Sequence, residues 1–188
     1  MAAILEAASQ LLVERGYAAA STNAISQRAG VSVGSLYQYF AGKTDIYEHL
    51  RRLHRCEIHP LVERALEELE SSPVAPGVVI ARLLEWLVLA HSERPDLMRA
   101  MDSELGCLGA DLDASEEEAA IGRVARALLK RGTLSEQQAS SCAWLAVVVT
   151  AIISKRLAHS PPDGLDIKSA IGGFRRMMEG LFDPGGHV

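Results

Sequence analysis

Residues 22–43 read TNAISQRAGVSVGSLYQYFAGK and crowd small, polar and aromatic side chains where a purely structural helix would carry long charged ones. Val33, Gly34 and Ser35 are short enough to let a helix backbone come close to another molecule. A valine methyl can meet a thymine methyl, a serine hydroxyl can bond donor or acceptor base edges, and a glutamine such as Gln38 can bond adenine in two places. Tyr37 and Tyr39 carry hydroxyls that reach phosphate oxygens, while Thr22 and Ser32 offer hydroxyls and helix-start amides to phosphate. Lys43 adds a cation beside them. The chemistry these residues could perform is recognition of duplex DNA. Spacing alone does not separate that reading from an ordinary three-helix packing unit with two surface tyrosines.

The elements that must position them follow from apolar periodicity. Ile4, Leu5, Ala8, Leu11 and Leu12 form one helical face that stops at Gly16. Thr22 is placed to cap a second helix with Ile25 and Ala29 inward and Gly30 at its end. Ser32 caps a third helix with Leu36 and Phe40 inward, and Gly42 breaks the chain. This is the outline of a helix-turn-helix, whose second helix enters the major groove. A connector helix is expected over residues 44–69, with Pro60 kinking or dividing it. Ser71, Ser72, Pro73, Pro76 and Gly77 mark a linker.

Beyond it, Val78–His91 is strongly apolar, and Pro95 starts a helix carrying Leu97, Met98, Met101 and Leu105. Ser115 with Glu118, and Ser135 with Gln138, have capping-box spacing. Residues 142–153 are apolar on nearly every side, which predicts burial all round. Ile167, Ala170, Ile171, Phe174, Met178 and Leu181 share one face of a last helix. Strand-type alternation is almost absent. The expected fold is all-α, with a helix-turn-helix domain at 1–45 and a larger helical domain at 46–188.

Composition bounds the function. The chain has 188 residues, 48% hydrophobic and 23% charged, which is globular. Its net charge of −5 is unevenly spread: residues 1–60 carry +1 and the remainder −6. One weakly basic module binds DNA modestly, which favours a dimer that doubles the contacts. Cys56, Cys107 and Cys142 are odd in number and scattered, which argues against a disulfide framework and fits a reducing cytoplasm. No secretion signal is expected at the start, and the apolar run at 142–153 is too short to span a bilayer.

Other chemistry fares worse. His49, His54, Cys56 and His59 invite a metal reading, but His49 and Cys56 stand about 10.5 Å apart along a helix, beyond the reach of one zinc. No metal or cofactor is expected. Gly-x-Ser-x-Gly, a phosphate loop and His-Glu-x-x-His are all missing, so no catalytic residues are assigned and an enzyme is the distant alternative. A helical carrier or interaction module without DNA binding is a third reading.

The stretch ISQRAGVSVGSLYQYFAGK, with Ala-Gly-Val-Ser, then Gly-x-Leu-Tyr-x-x-Phe, then a lysine three positions on, closely resembles the DNA-binding domain of the TetR family of bacterial transcriptional regulators. The preceding ILEAASQLLVERGYAAAST is similar to that family's first helix, and the resemblance covers about residues 3–50. It implies that Thr22 and Lys43 hold phosphates, and that Tyr37 meets backbone or a thymine methyl. It implies that Tyr39 touches phosphate, and that Asn23, Val33, Gly34, Ser35 and Gln38 read or approach bases. Leu36 and Phe40 match core positions. Ser26 departs from the family's usual alanine. The basic segment that often precedes the first helix is not seen ahead of MAAIL, so either the start is trimmed or those contacts are missing.

The resemblance further implies a homodimer through the last two long helices and a small-molecule effector pocket in the second domain. Candidate pocket residues are Trp86, Met98, Met101, Cys107, Trp144, Phe174 and Met177, large or adaptable apolar groups that could equally be plain core. The scarcity of buried charge points to a lipophilic or aromatic effector. The expected action is repression at a palindromic operator, with recognition helices about 34–36 Å apart or somewhat more, relieved when ligand binding moves the connector helix. No membrane partner is expected.

Overall fold

The computed structural model describes residues 1–105 and 114–183, which form nine α-helices and, among those residues, no strand. They are α1 (Ala2–Ala19), α2 (Thr22–Ala29), α3 (Val33–Tyr37), α4 (Lys43–Ser71), α5 (Pro76–His91), α6 (Pro95–Leu105), α7 (Ala114–Lys130), α8 (Glu136–His159) and α9 (Ile167–Phe182). The all-α expectation holds. The helices sort into two compact units, each with its own core.

The first unit holds residues 1–56 and α6, so it is larger than the segment 1–45. Ile4, Ala8, Leu11 and Leu12 of α1 are buried with Ile25, Leu36, Phe40 and Ile46. Tyr47 is buried among them; its hydroxyl donates to the Ala8 carbonyl at 3.0 Å, and burial raises its pKa, so it stays a neutral phenol. The α1 backbone leaves helical geometry at Gly16, where φ is +74°, a conformation glycine tolerates at little cost. α6 packs on α1 through buried Leu97 and Met101. Arg94 beside Glu6 and the Glu104 carboxylate at the Tyr17 amide tie the two helices near both ends.

The second unit holds the chain from Glu57 to Glu93 and the described residues from Ala114 onward. α5 packs against α8 and α9, and α7 against α8. α5 and α9 approach closely at Gly77, where a β-carbon would stand 2.8 Å from the Glu179 amide nitrogen of α9. Arg123 of α7 reaches Glu63 at 2.7 Å and Glu70 at 2.8 Å on α4, and its hydrogen bonds hold the Glu70 carboxyl below the usual carboxylate range.

Several local expectations shift. Ser21, not Thr22, caps α2, accepting from the Ala24 amide at 3.2 Å. Pro60 lies inside one helix rather than dividing it, on an exposed side. α7 starts at Ala114, so Ser115 and Glu118 sit within its first turn rather than framing its start. The Ser135–Gln138 capping box is present, and Asp166 caps α9.

α8 differs most. Its 24 residues are long and apolar enough to cross a membrane by length and composition, contrary to the short span expected from residues 142–153 alone. It is not buried all round either. Ala139, Ala143, Ala146, Thr150 and Leu157 face the core, while Trp144 is 52% and Ile152 62% exposed. A four-residue rhythm puts Trp144, Val148 and Ile152 on one outward stripe.

Candidate nucleic-acid interface

The candidate interface is built on the turn between α2 and α3. Gly30 ends α2 with φ +68°, and the Val31 amide donates to the Ser26 carbonyl at 3.0 Å, closing a tight bend. Ser32 then starts α3: its hydroxyl accepts from the Ser35 amide at 3.0 Å and lies 2.8 Å from the Ser35 hydroxyl. Ile25 and Leu36 are fully buried and Phe40 nearly so. These anchors turn the opposite face of α2 and α3 outward.

Asn23, Ser32, Gly34, Tyr37, Gln38 and Tyr39 are exposed and Thr22, Val33 and Ser35 half-buried, as is Lys43 at the start of α4. Large aromatics usually hide; Tyr37 and Tyr39 are 53% and 58% exposed. The Tyr37 hydroxyl stands 3.4 Å from Thr22 Oγ1, so one patch holds the first residue of α2 and the last of α3. Gln38 caps the five-residue α3, and Tyr39 follows in the turn, so neither sits in the helix proper.

Lys43 is held firmly. Its Nζ donates to the Tyr17 carbonyl at 2.8 Å and lies 4.0 Å from the Tyr17 ring centroid. An ammonium has three donors, so two remain for a phosphate. The Tyr17 hydroxyl in turn lies 3.1 Å from Thr44 Oγ1. Tyr17 and Thr44 are supports that the sequence reading did not single out; the aromatic just after Gly16 was the available signal. Arg28, by contrast, is spent on Glu14, with two hydrogen bonds of 2.8 and 2.7 Å, which keep that carboxyl below its ordinary pKa.

The residues expected to line an effector pocket do not converge. Met98 and Met101 pack in the first unit. In the second, Phe174 is core, Trp86 is half-buried with the Arg64 guanidinium 4.5 Å from its ring, and Trp144 and Met177 are exposed. Cys107 lies outside the described residues. The second unit instead holds a partly open cavity of about 50 Å³ between α4, α5, α7 and α8, walled by residues such as Val62, Leu66, Leu83, Val124 and Val147. An open hollow of about 460 Å³ also lies among the linker and the ends of α7 and α9, near Arg131, Thr133 and Glu179.

Comparison with known proteins bears on the interface. The family model for bacterial regulatory proteins, tetR family, matches residues 4–50, the span that holds α1 to α3 and the start of α4. Over 63 residues the chain is 41% identical to the HTH-type transcriptional activator FasR of Mycolicibacterium smegmatis, covering 34% of this chain and 29% of that protein. Over 92 residues it is 32% identical to the fatty acid metabolism regulator protein of Bacillus subtilis, covering 47% and 46%. The chain thus spans less than half the length of these relatives. The fold of a TetR-family regulator from Syntrophomonas wolfei superposes with a TM-score of 0.68 at 17% identity, covering 100% of this chain and 96% of that one. Residues 4–50 thus match the tetR family of bacterial regulatory proteins, and the all-helical fold as a whole is similar to that of a solved TetR-family regulator.

Proposed function

We propose that this chain is a sequence-specific DNA-binding regulator that acts as a homodimer in the cytoplasm, where it represses from a palindromic operator and is released by a lipophilic effector. The carrying observation is that exposed Tyr37 stands against Thr22 outside the buried anchors Ile25, Leu36 and Phe40, with the Lys43 ammonium held on Tyr17 at the start of α4. Thr22, Ser32, Tyr39 and Lys43 would hold phosphates. Asn23, Val33, Gly34, Ser35, Tyr37 and Gln38 would lie against bases and sugars. Because the first sixty residues carry only +1, two copies are needed for useful affinity.

The dimer would form on the outward stripe of α8 together with exposed Met177 of α9. Trp144, Leu145 and Ile152 are large apolar side chains in water, and contiguous patches of that kind mark interfaces. The effector would bind in the second unit, whose α4 wall belongs to the same continuous helix that begins at Lys43. Occupancy would shift the populations of two α4 placements and with them DNA affinity. No bond is made or broken. The name of the Bacillus subtilis relative, a fatty acid metabolism regulator, supports a lipid-like signal.

The test is selection from random duplexes by the full chain, followed by footprinting. A near-palindromic footprint is expected. A chain that enriches no sequence would refute the reading, and a reporter carrying the footprinted site gives the sign of regulation.

A further inference from the structure

The cavity in the second unit has a definite chemistry. Along α4 its wall is Ile58, Val62, Ala65, Leu66 and Leu69, a single face that runs from residue 58 to residue 69. At 1.5 Å per residue that face is about 16 Å long. Opposite it, Ala120, Ala146 and Ala151 present methyl groups only. Thr150 is the one hydroxyl in the wall, and it is turned to its own helix, donating to the Ala146 carbonyl at 2.6 Å. Among the described residues no aromatic and no ionisable side chain lines the cavity, although Trp86 and Phe174 belong to the same unit.

Each feature narrows the occupant. A charged group would lose its hydration with no partner in the wall, a cost no binding site sustains. A cavity of about 50 Å³ is far below the roughly 300–1,000 Å³ of ordinary ligand sites. It therefore takes a slender group, or must widen along its length. A flat aromatic ring has no stacking partner here and needs width at one point. A chain of methylenes needs little width anywhere and gains contact with every wall residue it passes.

Resting on the reading of the second unit as an effector domain, we infer that this slot takes a saturated, unbranched alkyl or acyl chain lying along α4, with its polar head outside the aliphatic wall. An extended chain advances about 1.2 Å per bond, so a chain lying along the whole of the roughly 16 Å α4 face, in a slot widened to take it, would span about thirteen carbon–carbon bonds. This replaces the broader expectation of a lipophilic or aromatic ligand with one shape and one chemistry.

The experiment uses the full chain and calorimetric titration with 1-alkanols from six to sixteen carbons. Arms with dodecanoate and with a dodecanoyl thioester identify which head group the chain normally carries, and biphenyl serves as the aromatic of twelve carbons. Each buried methylene contributes about 0.8 kcal/mol, so affinity should rise about four-fold per carbon and level off near twelve to fourteen. Biphenyl should bind at least thirty-fold more weakly than dodecanol. Ala146→Leu, which fills the slot, should abolish binding, while Thr150→Val should leave it within about two-fold. If Ala146→Leu does not fold, Leu66→Ala serves instead, widening the slot so that biphenyl gains on dodecanol. Affinity independent of chain length, or biphenyl equal to dodecanol, overturns the inference. Operator binding is followed in the same samples. Chain-length-dependent binding without any effect on DNA supports the slot and counts against the regulatory reading; intact operator binding with no alkanol bound does the reverse.

Discussion

Replacing Gly77 with alanine isolates the contact on which the second unit is built. The new methyl would stand 2.8 Å from the Glu179 amide nitrogen, 3.1 Å from its Cα and 2.6 Å from its Cγ. The Cγ belongs to a side chain and can swing away. The nitrogen and Cα belong to the α9 backbone, so α5 and α9 must separate by several tenths of an ångström along the contact. Overpacking of this kind costs about 1–3 kcal/mol; alanine's better helix propensity offsets at most about 1 kcal/mol of that. A net loss of about 2 kcal/mol is expected, or roughly 4–8 °C in melting temperature for a chain of this size. Both tryptophans, Trp86 and Trp144, lie in the second unit, so their emission during urea unfolding reads that unit directly. Gly180→Ala is the paired control: Gly180 is helical, exposed and has nothing within 4 Å of a new methyl. It should stabilise by up to about 1 kcal/mol. If Gly77→Ala is as stable as Gly180→Ala, the α5–α9 packing is not as described.

Three further outcomes are expected. Trp144→Glu and Ile152→Glu should shift the chain to monomer in sedimentation experiments with helix content unchanged; a dimer that survives both places the interface elsewhere. Thiol labelling resolved by mass spectrometry should modify exposed Cys56 rapidly and Cys142 slowly, because burial raises the Cys142 pKa and hides its sulfur; equal rates would contradict the packing of α8. The Glu70 carboxyl, held low by Arg123, is more acidic folded than unfolded, so its contribution is present above the unfolded pKa and lost as pH falls through the folded one. Stability should therefore be flat from neutrality to about pH 5 and fall below it, and Glu70→Gln should reduce that acid loss by under about 1 kcal/mol, since solvent reaches and screens the half-buried pair.

How much of this was legible in the sequence depends on how local the signal was. The α2–turn–α3 element was plain, because Gly30, Ser32 and Leu36 are each required by the backbone or core within a few residues. The capping box before α8 was equally local. The membership of α6 was not readable: its buried Leu97 and Met101 form an ordinary helical face, and nothing in sequence says that the face packs on α1. Side-chain size is a poor guide to the pocket, because the slot is walled by alanines and branched aliphatics and space is left where side chains are small. The apolar sweep of α8 predicts complete burial, and only the packing of α5 and α7 against one side shows which half is left outward.

If Thr22, Tyr37 and Lys43 meet DNA as proposed, affinity for a selected duplex across a salt series reads their contribution. Tyr37→Ala and Lys43→Ala should each weaken binding at least ten-fold while Tyr47 and the core keep the fold intact. Lys43→Ala should also reduce the slope of log affinity on log salt by about two per dimer, one phosphate for each copy. Variants that bind as tightly as the unaltered chain, with an unchanged salt slope, would contradict the proposal.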